Sequence, residues 1–281
     1  MESSIKTKIV SNKNIKGNYY SAIFKANFIA RNCLPGQFVN IRVSENDVPL
    51  LRRPFGIHRV NGLGFEVLYE VLGEGTKILA QKKPGEYLDI IGPLGNGFTY
   101  PLSPIPYPLP VLVAGGMGVA PLFFLAERLV HGQQSTVSRK PLVLIGAKTK
   151  SQLLCEKEFQ DLGCDVKIAT DDGSCGYKGY ITDLLEEALS TVDCGLSTVY
   201  ACGPQPMLKE VSKVSCKYNI SVQVSLESHM ACGIGACLGC VVRTKNPTCP
   251  AGRQEQRAKN GFIYARVCKE GPVFNAQEIE W

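Results

Sequence analysis

A run of cysteines near the C-terminus constrains the fold of this chain more than any other feature. Cys232, Cys237 and Cys240 form C-x4-C-x2-C, the ligand spacing of a plant-type [2Fe–2S] centre. Glycines between them allow backbone N–H groups to approach the sulfurs closely. Because two irons require four thiolates, the fold must bring one more cysteine to this run.

Two later cysteines are candidates for the fourth ligand. Cys268 opens the segment V-C-x-x-G-P-V-F, which reads as the start of ordered structure, whereas Cys249 lies in the loop-like sequence P-T-C-P. We therefore favour Cys268 and keep Cys249 as the alternative. A structural zinc site is a second reading of the whole run, but zinc usually takes paired C-x2-C knuckles. Ala236 and Leu238 are expected to shield the cluster from water.

The composition excludes several classes of protein. Of the 281 residues, 44% are apolar and 20% are charged, which is typical of a folded globular chain. The net charge of +6 is spread without blocks of like charge, so we predict no nucleic-acid partner. The 12 cysteines are too dispersed for a disulfide scaffold, so we expect reduced thiols and a cytoplasmic location.

No segment of the sequence is predicted to enter a membrane. The N-terminus lacks the apolar region of a signal peptide. Residues 90–126 carry no charged side chain, but prolines recur through them, and a continuous helix across the lipid could not accommodate these.

The order of strand-like and helix-like patterns along the chain predicts an α+β multidomain fold. Short alternating strands, such as 38–43 and 65–72, are separated by Gly and Pro and favour an antiparallel β-barrel over residues 1–103. After a proline-rich linker at 101–110, apolar strands alternate with helical patterns, which predicts an α/β domain with a parallel sheet over 104–224. One of its helices is predicted to begin with Ser151 as N-cap and to run to Leu162. Residues 225–281 read as a loop-like cluster subdomain.

Three segments of the barrel are candidates for a flavin site. Arg53 can pair with a pyrophosphate, and Pro54 fixes the backbone that follows it. Tyr69, on the next strand, can stack on an isoalloxazine ring. Gly75 and Thr76 offer bare backbone and a hydroxyl to phosphate. Each piece alone is weak, since a Tyr in a strand is usually core; their order over about 25 residues carries the prediction.

The second domain carries a candidate nicotinamide site. Gly115, Gly116 and Gly118 lie between an apolar strand and a helix, as dinucleotide binding requires. Asp171 follows the third strand and can bond a ribose 2′-OH, which would favour NADH, although a simple turn explains it almost as well. Cys202 follows the fourth strand and either lines the site or is a small buried residue. No Ser/His/Asp arrangement is present, and we assign no catalytic residue.

Taken in order, these motifs resemble those of a known family. The chain is similar to the ferredoxin–NADP reductase superfamily in five motifs: R-P-F-x-I, G-x-G-T, G-G-M-G-V-A-P-L, Y-A-C-G-P-x-P-M-L and M-A-C-G-I-G-A-C-L-G-C. The chain resembles more closely the electron-transfer subunits of NAD-dependent dihydroorotate dehydrogenases (the PyrK family). It departs from that pattern in the 27 residues between Cys240 and Cys268, a longer gap than usual, and in Gly56, where Ser is frequent.

The resemblance implies cofactors, partners and site residues. A [2Fe–2S] cluster would be held by Cys232, Cys237, Cys240 and Cys268, and FAD by Arg53, Pro54, Phe55, Gly56, Leu68, Tyr69, Glu70, Gly75 and Thr76. An FMN-containing catalytic subunit of the PyrD type would oxidise dihydroorotate in pyrimidine biosynthesis, as part of a heterotetramer. Its electrons would pass through the cluster and FAD to NAD+. Alternatives are a reductase subunit of another flavoprotein complex, sulfide- or ferredoxin-linked, and a zinc-stabilised binding module without redox activity.

Overall fold

A computed structural model describes residues 4–46, 48–100, 109–131, 140–191, 198–245 and 262–281. Most of the proline-rich linker and Cys249 lie outside the described residues. Among the helices of the described ranges, none is long and apolar enough to cross a membrane.

The N-terminal strands close into a six-stranded antiparallel barrel, as predicted. The strand order is β1-β2-β5-β4-β3-β6. Alternate residues point inward and make an aromatic and aliphatic core, in which Phe24 and Phe65 stack with ring centroids 5.3 Å apart. The elements are β1 (Ser4–Lys16), β2 (Tyr19–Lys25), α1 (Asn27–Asn32), β3 (Phe38–Arg42), β4 (Arg53–Asn61), β5 (Gly64–Glu70), α2 (Glu74–Gln81) and β6 (Tyr87–Leu94).

The following region forms the predicted parallel sheet with helices on both faces. Its buried strands are continuous apolar runs because both faces are covered. The elements are β7 (Val111–Gly115), α3 (Val119–His131), β8 (Leu142–Ala147), α4 (Glu156–Asp161), β9 (Asp165–Thr170), β10 (Tyr177–Lys178), α5 (Ile181–Thr191), β11 (Thr198–Cys202), α6 (Gln205–Lys217) and β12 (Ser221–Ser225).

The C-terminal segment is more ordered than its loop-like sequence suggests. A short hairpin of β13 (Val241–Thr244) and β14 (Ile263–Arg266) follows the cysteine run. A last strand, β15 (Val273–Asn275), pairs antiparallel with β12 and becomes the seventh strand of the sheet, in the order β10-β9-β8-β7-β11-β12-β15. Three residues are too few to show a strand period, so the sequence pattern missed this strand.

The helix predicted from Ser151 begins later than expected. Lys150–Gln152 forms a single 3₁₀ turn, and α4 starts only at Glu156. Ser151 lies inside this turn and not at its N-cap, which is Thr149, and the two hydroxyls are 2.7 Å apart. Leu153 and Leu154 are buried in the core between the turn and the helix, and this tertiary burial outweighs the local capping signal.

Candidate functional site

A cavity of about 1160 Å³ lies among the barrel, the parallel sheet and the C-terminal segment. Its walls come from the carboxyl ends of the parallel strands, the place where open α/β sheets bind ligands, and from β4 and β5. Ten of the residues predicted from sequence line it: Pro54, Phe55, Gly56, Leu68, Tyr69, Glu70, Gly115, Gly116, Asp171 and Cys202.

One part of the barrel wall of the cavity is built from β3 and β4. In their antiparallel register Phe38 lies opposite Gly56, and both line the cavity. A Cβ on Gly56 would lie 3.8 Å from Cδ of Pro121 in α3, which is ordinary van der Waals contact. A methyl group would therefore fit here, and its absence leaves the β4 backbone bare where Gly56 lines the cavity.

Tyr69 occupies a more enclosed place than a freely stacking ring would. It is 2% exposed, and its ring stacks on Tyr20 at 5.5 Å and meets Phe55 edge-on at 5.7 Å. Its hydroxyl donates a hydrogen bond to Oδ1 of Asn12 at 2.8 Å. Burial, the largest effect, raises the pKa of this phenol well above its usual value, so the hydroxyl stays protonated. Tyr69 thus supports the barrel wall while bordering the cavity.

Arg53 lies against the N-terminal end of α2. A Cβ on Gly75 would be 2.5 Å from Nε of Arg53, so a larger residue would displace the guanidinium from this position. The hydroxyl of Thr76 accepts hydrogen bonds from the Leu72 and Gly73 N–H groups and donates to the Gly73 carbonyl, so in this structure it caps α2. A guanidinium beside a helix N-terminus attracts a pyrophosphate. These three predicted residues border the site without lining the cavity.

The glycines of the turn after β7 have two different roles, lining the cavity and allowing close packing. Gly115 and Gly116 line the cavity. Gly118 does not, and a Cβ there would overlap the carbonyl oxygen of Cys202 in β11. Gly118 therefore lets the start of α3 pack directly on β11, a packing role that the dinucleotide pattern alone does not reveal.

Cys202 lines the cavity but is almost fully buried. Burial, assisted by the nearby carboxylate of Glu227, raises the pKa of its thiol to about 12. The group is therefore a neutral thiol at physiological pH.

Two aspartates follow β9, and the turn gives them different roles. Oδ1 of Asp172 accepts hydrogen bonds from the backbone N–H of Ser174 at 2.9 Å and from its hydroxyl at 2.6 Å. These bonds stabilise the ionised form and lower the pKa of Asp172. Asp171, which has no such role in the turn, lines the cavity together with Lys148.

The sequence interpretation missed one wall of the cavity. Residues 227–230, directly after β12, line it and include Glu227, His229 and Met230. Burial raises the pKa of the Glu227 carboxyl. Their position in the sequence could have predicted them, since these residues follow the carboxyl end of a parallel strand, as Asp171 and Cys202 do.

The four predicted cysteine ligands come together in two pairs. The backbone N–H of Cys237 donates to Sγ of Cys232 at 3.4 Å, and the backbone N–H of Cys268 donates to Sγ of Cys240 at 3.4 Å. Among the described residues, no group of three or more Cys, His, Asp or Glu is arranged to hold a single metal ion. Two pairs of thiolates suit a cluster in which each of two irons takes two ligands.

Backbone N–H groups point at these sulfurs, as expected from the glycines. Sγ of Cys268 accepts from Gly235 at 3.1 Å, and Sγ of Cys232 accepts from Ala236 at 3.3 Å. Burial raises the pKa of the Cys232 thiol, but backbone hydrogen bonds outweigh it and lower the pKa to about 6. At Cys232 the loop thus already stabilises a thiolate, the form that ligates iron. At Cys268, burial and then the neighbouring Cys240 raise the pKa of the thiol to about 12.

The expected apolar cover over this loop is not seen. Ala236 is exposed, and Leu238 is 46% exposed, with a left-handed φ of +57°. The loop therefore presents apolar side chains to its surroundings instead of burying them.

Comparison with known proteins supports the interpretation of both the cluster loop and the cavity. Residues 227–280 match the family described as the iron-sulfur cluster binding domain of dihydroorotate dehydrogenase B. Residues 112–213 match the oxidoreductase NAD-binding domain.

Full-length relatives agree with these matches. A protein of Desulforamulus reducens named dihydroorotate dehydrogenase B (NAD(+)), electron transfer subunit is 38% identical, with 98% of this chain and 97% of that one covered. A Caldanaerobacter subterraneus protein of the same name is 37% identical over 99% of both chains.

A solved structure shares the whole architecture. It is that of the NADH-dependent reduced ferredoxin-NADP oxidoreductase, with a TM-score of 0.79 and 26% sequence identity, and the match covers 100% of this chain and 92% of that one. The fold class, the family resemblance and the set of [2Fe–2S], FAD and NAD predicted from sequence are therefore confirmed. The chain belongs to the family of electron transfer subunits of NAD-dependent dihydroorotate dehydrogenase B.

Proposed function

We propose that this chain carries electrons from a dihydroorotate-oxidising partner subunit to NAD+. The observation that carries the proposal is the continuity of two sites. Residues 227–230 line the cavity, and Cys232, the first cluster cysteine, follows almost immediately. A group bound in the cavity and a cluster on the loop would therefore lie on one short piece of chain.

The side chains divide the work of holding the cofactors. Arg53 and the start of α2 would bind the pyrophosphate of FAD, and the open backbone of β4 would lie along its ring. The nucleotide side of the cavity would take NAD+, with Asp171 at the ribose and Cys202 as an uncharged wall. The remaining proposed contacts are Pro54, Phe55, Gly56, Leu68, Tyr69, Glu70, Gly75, Thr76, Gly115, Gly116 and Gly118 for the nucleotides, and Cys232, Cys237, Cys240 and Cys268 for iron.

The cofactors supply the redox chemistry, since an iron–sulfur cluster moves single electrons and a flavin exchanges them as a pair with nicotinamide. The protein contributes placement and electrostatics. Backbone N–H groups at the sulfurs favour the reduced, more negative cluster. The buried Cys202 thiol is uncharged, so it adds no negative charge of its own to this wall of the cavity.

The partner would be an FMN-containing catalytic subunit, two copies of each chain forming a heterotetramer in the cytoplasm. Electrons would enter at the cluster loop, because that loop is exposed and the cavity is the end where NAD+ binds. Within this chain we divide the functions among a flavin barrel at 1–103, a nucleotide domain at 104–224 and a cluster subdomain at 225–281.

The test is copurification of the chain with its catalytic partner, followed by analysis of flavin, iron and labile sulfide. Reduction of NAD+ by dihydroorotate in the copurified complex is the expected result. A complex that holds flavin and cluster but is indifferent to dihydroorotate would instead support a ferredoxin-linked reductase, the second candidate raised by the NADH-dependent ferredoxin-NADP oxidoreductase fold. A colourless protein would contradict both.

A further inference from the structure

A single buried polar side chain connects the barrel to the cluster loop. Asn40, in the middle of β3, is 0% exposed. Its Nδ2 donates a hydrogen bond to the carbonyl oxygen of Cys232 at 3.3 Å. Its Oδ1 is one of the few buried side-chain oxygens in the described residues that have no hydrogen-bond partner.

The loop is shaped to receive this side chain. A Cβ on Gly233 would overlap Nδ2 of Asn40, and Gly233 has a left-handed φ of +71°. Any other residue at this position would both strain the backbone and push the amide away. Asn40 and Gly233 therefore form one close contact, directly beside the first cluster cysteine.

The same side chain is also tied to the flavin side of the molecule. Asn40 lies opposite Pro54 in the β3–β4 register, and Pro54 lines the cavity. Opposite residues of an antiparallel pair project to the same face of the sheet. A short route of bonded and contacting groups thus runs from the cavity wall through Asn40 to the carbonyl of Cys232.

Stability alone does not explain an asparagine here. A buried amide oxygen without a partner destabilises the folded state, and an apolar side chain of the same shape removes that cost. The surroundings are apolar, since Phe38 and Cys240 belong to one core cluster, and Ile91, opposite Asn40 in β6, packs against it. We therefore explain the asparagine by the hydrogen bond from its amide to the Cys232 carbonyl oxygen.

We propose that Asn40 is a positioning residue that fixes the Cys232 end of the cluster loop against the flavin-binding strand. The inference rests on the proposed function, because it requires a cluster on the loop and a flavin in the cavity. Loss of the amide would let Cys232 shift, which changes the electronic environment of the cluster and the ease with which iron leaves it. Supporting contacts of this kind are typically worth roughly 10–100-fold in metal affinity or activity.

The test compares Asn40→Leu and Asn40→Asp with the wild type in the copurified complex. Leucine keeps the volume and removes both polar atoms, while aspartate keeps the shape and removes the donor. The measurements are the EPR spectrum of the reduced cluster, the rate of iron loss to a chelator, flavin content and thermal unfolding. Asn96→Leu is the matched control, since the Asn96 amide also joins the barrel to the C-terminal segment, at the Glu270 carbonyl, 2.9 Å away.

We expect altered EPR g-values and iron loss about tenfold faster in both Asn40 variants, with flavin content retained and Asn96→Leu unchanged. If one Asn40 variant fails to fold, the EPR spectrum and iron loss of the other variant test the proposal. A folded Asn40 variant with the wild-type spectrum and wild-type iron loss overturns the proposal. A wild-type complex without cluster or flavin would instead refute the proposed function, so the two failures are distinguishable.

Discussion

At the scale of single residues, His58 shows how burial sets a pH limit on the fold. This residue of β4 is 1% exposed and lies against α3. Its Nδ1 is 3.2 Å from the Ala120 carbonyl oxygen, and its ring centroid is 4.9 Å from that of Phe123. Burial, followed by the neighbouring charge of Arg59, lowers the pKa of His58 to about 3. The imidazole is therefore neutral in the folded state across the physiological range.

This shift predicts acid sensitivity of the folded protein. Below pH 6.5 the unfolded chain binds a proton at His58, whereas the folded chain does not. The contribution of His58 to the free energy of unfolding is therefore present above this pH and is lost as pH falls toward 3. By pH 5 the loss attributable to His58 is about 2 kcal/mol. Urea unfolding at pH 7 and pH 5 measures it. His58→Gln should flatten the slope, whereas His131→Gln, on an exposed residue, should not; equal slopes in all three proteins would refute the assignment.

The fourth cluster ligand is a second prediction at this scale. Cys268 is buried and paired with Cys240, whereas Cys249 lies outside the described residues. Cys268→Ser should abolish the cluster because one iron loses half of its protein ligands. Cys249→Ser, the matched control, should keep wild-type iron and sulfide content. Loss of iron in Cys249→Ser alone would reverse the choice of ligand.

At the scale of elements, the junction between α3 and β11 depends on one glycine. Because a Cβ on Gly118 would overlap the backbone of Cys202, Gly118→Ala must push the helix away from the sheet. We expect a loss of at least about 2 kcal/mol in the free energy of unfolding, as for an overpacked core. NADH binding should weaken as well, since the neighbouring turn lines the cavity.

Gly56→Ala is the matched control for this prediction. Its Cβ would meet Pro121 at 3.8 Å, so the added methyl has room and should change stability by less than about 1 kcal/mol. Denaturant unfolding and NADH titration check both variants. Equal stability of the two would mean that α3 adjusts freely and that Gly118 has no packing role.

The elements also show which parts of the fold were predictable. Long or strongly patterned segments were assigned correctly, because β7 and β8 are apolar throughout and the sequence of β3 alternates. The structure nevertheless buries both faces of β3 from Phe38 to Ile41, which the alternation did not predict. Ser151 was misleading because the burial of Leu153 and Leu154 decides the backbone there. Contacts between distant segments, such as that of Asn40 with Cys232, leave no local pattern and required the structure.

At the scale of the whole molecule, the cluster segment is built into the nucleotide sheet. The sequence suggested a separate tail, yet β15 supplies an edge strand, with Phe274 opposite Val224 of β12. The same core cluster contains Cys240 and Cys268. The iron ligands and the nucleotide sheet therefore share one apolar interior, and we expect them to unfold together.

Phe274→Ala tests this coupling. The side chain is 8% exposed, so its removal leaves a cavity worth about 3–5 kcal/mol, and both attached functions should suffer. We expect a single unfolding transition at lower temperature, with parallel losses of iron and of NADH binding. Tyr264→Ala, on a residue of β14 that is 43% exposed, is the control and should change neither. If Phe274→Ala released iron while NADH binding and the main unfolding transition stayed at wild-type values, the cluster segment would be an independent unit, and β15 would only rest on the edge of the sheet.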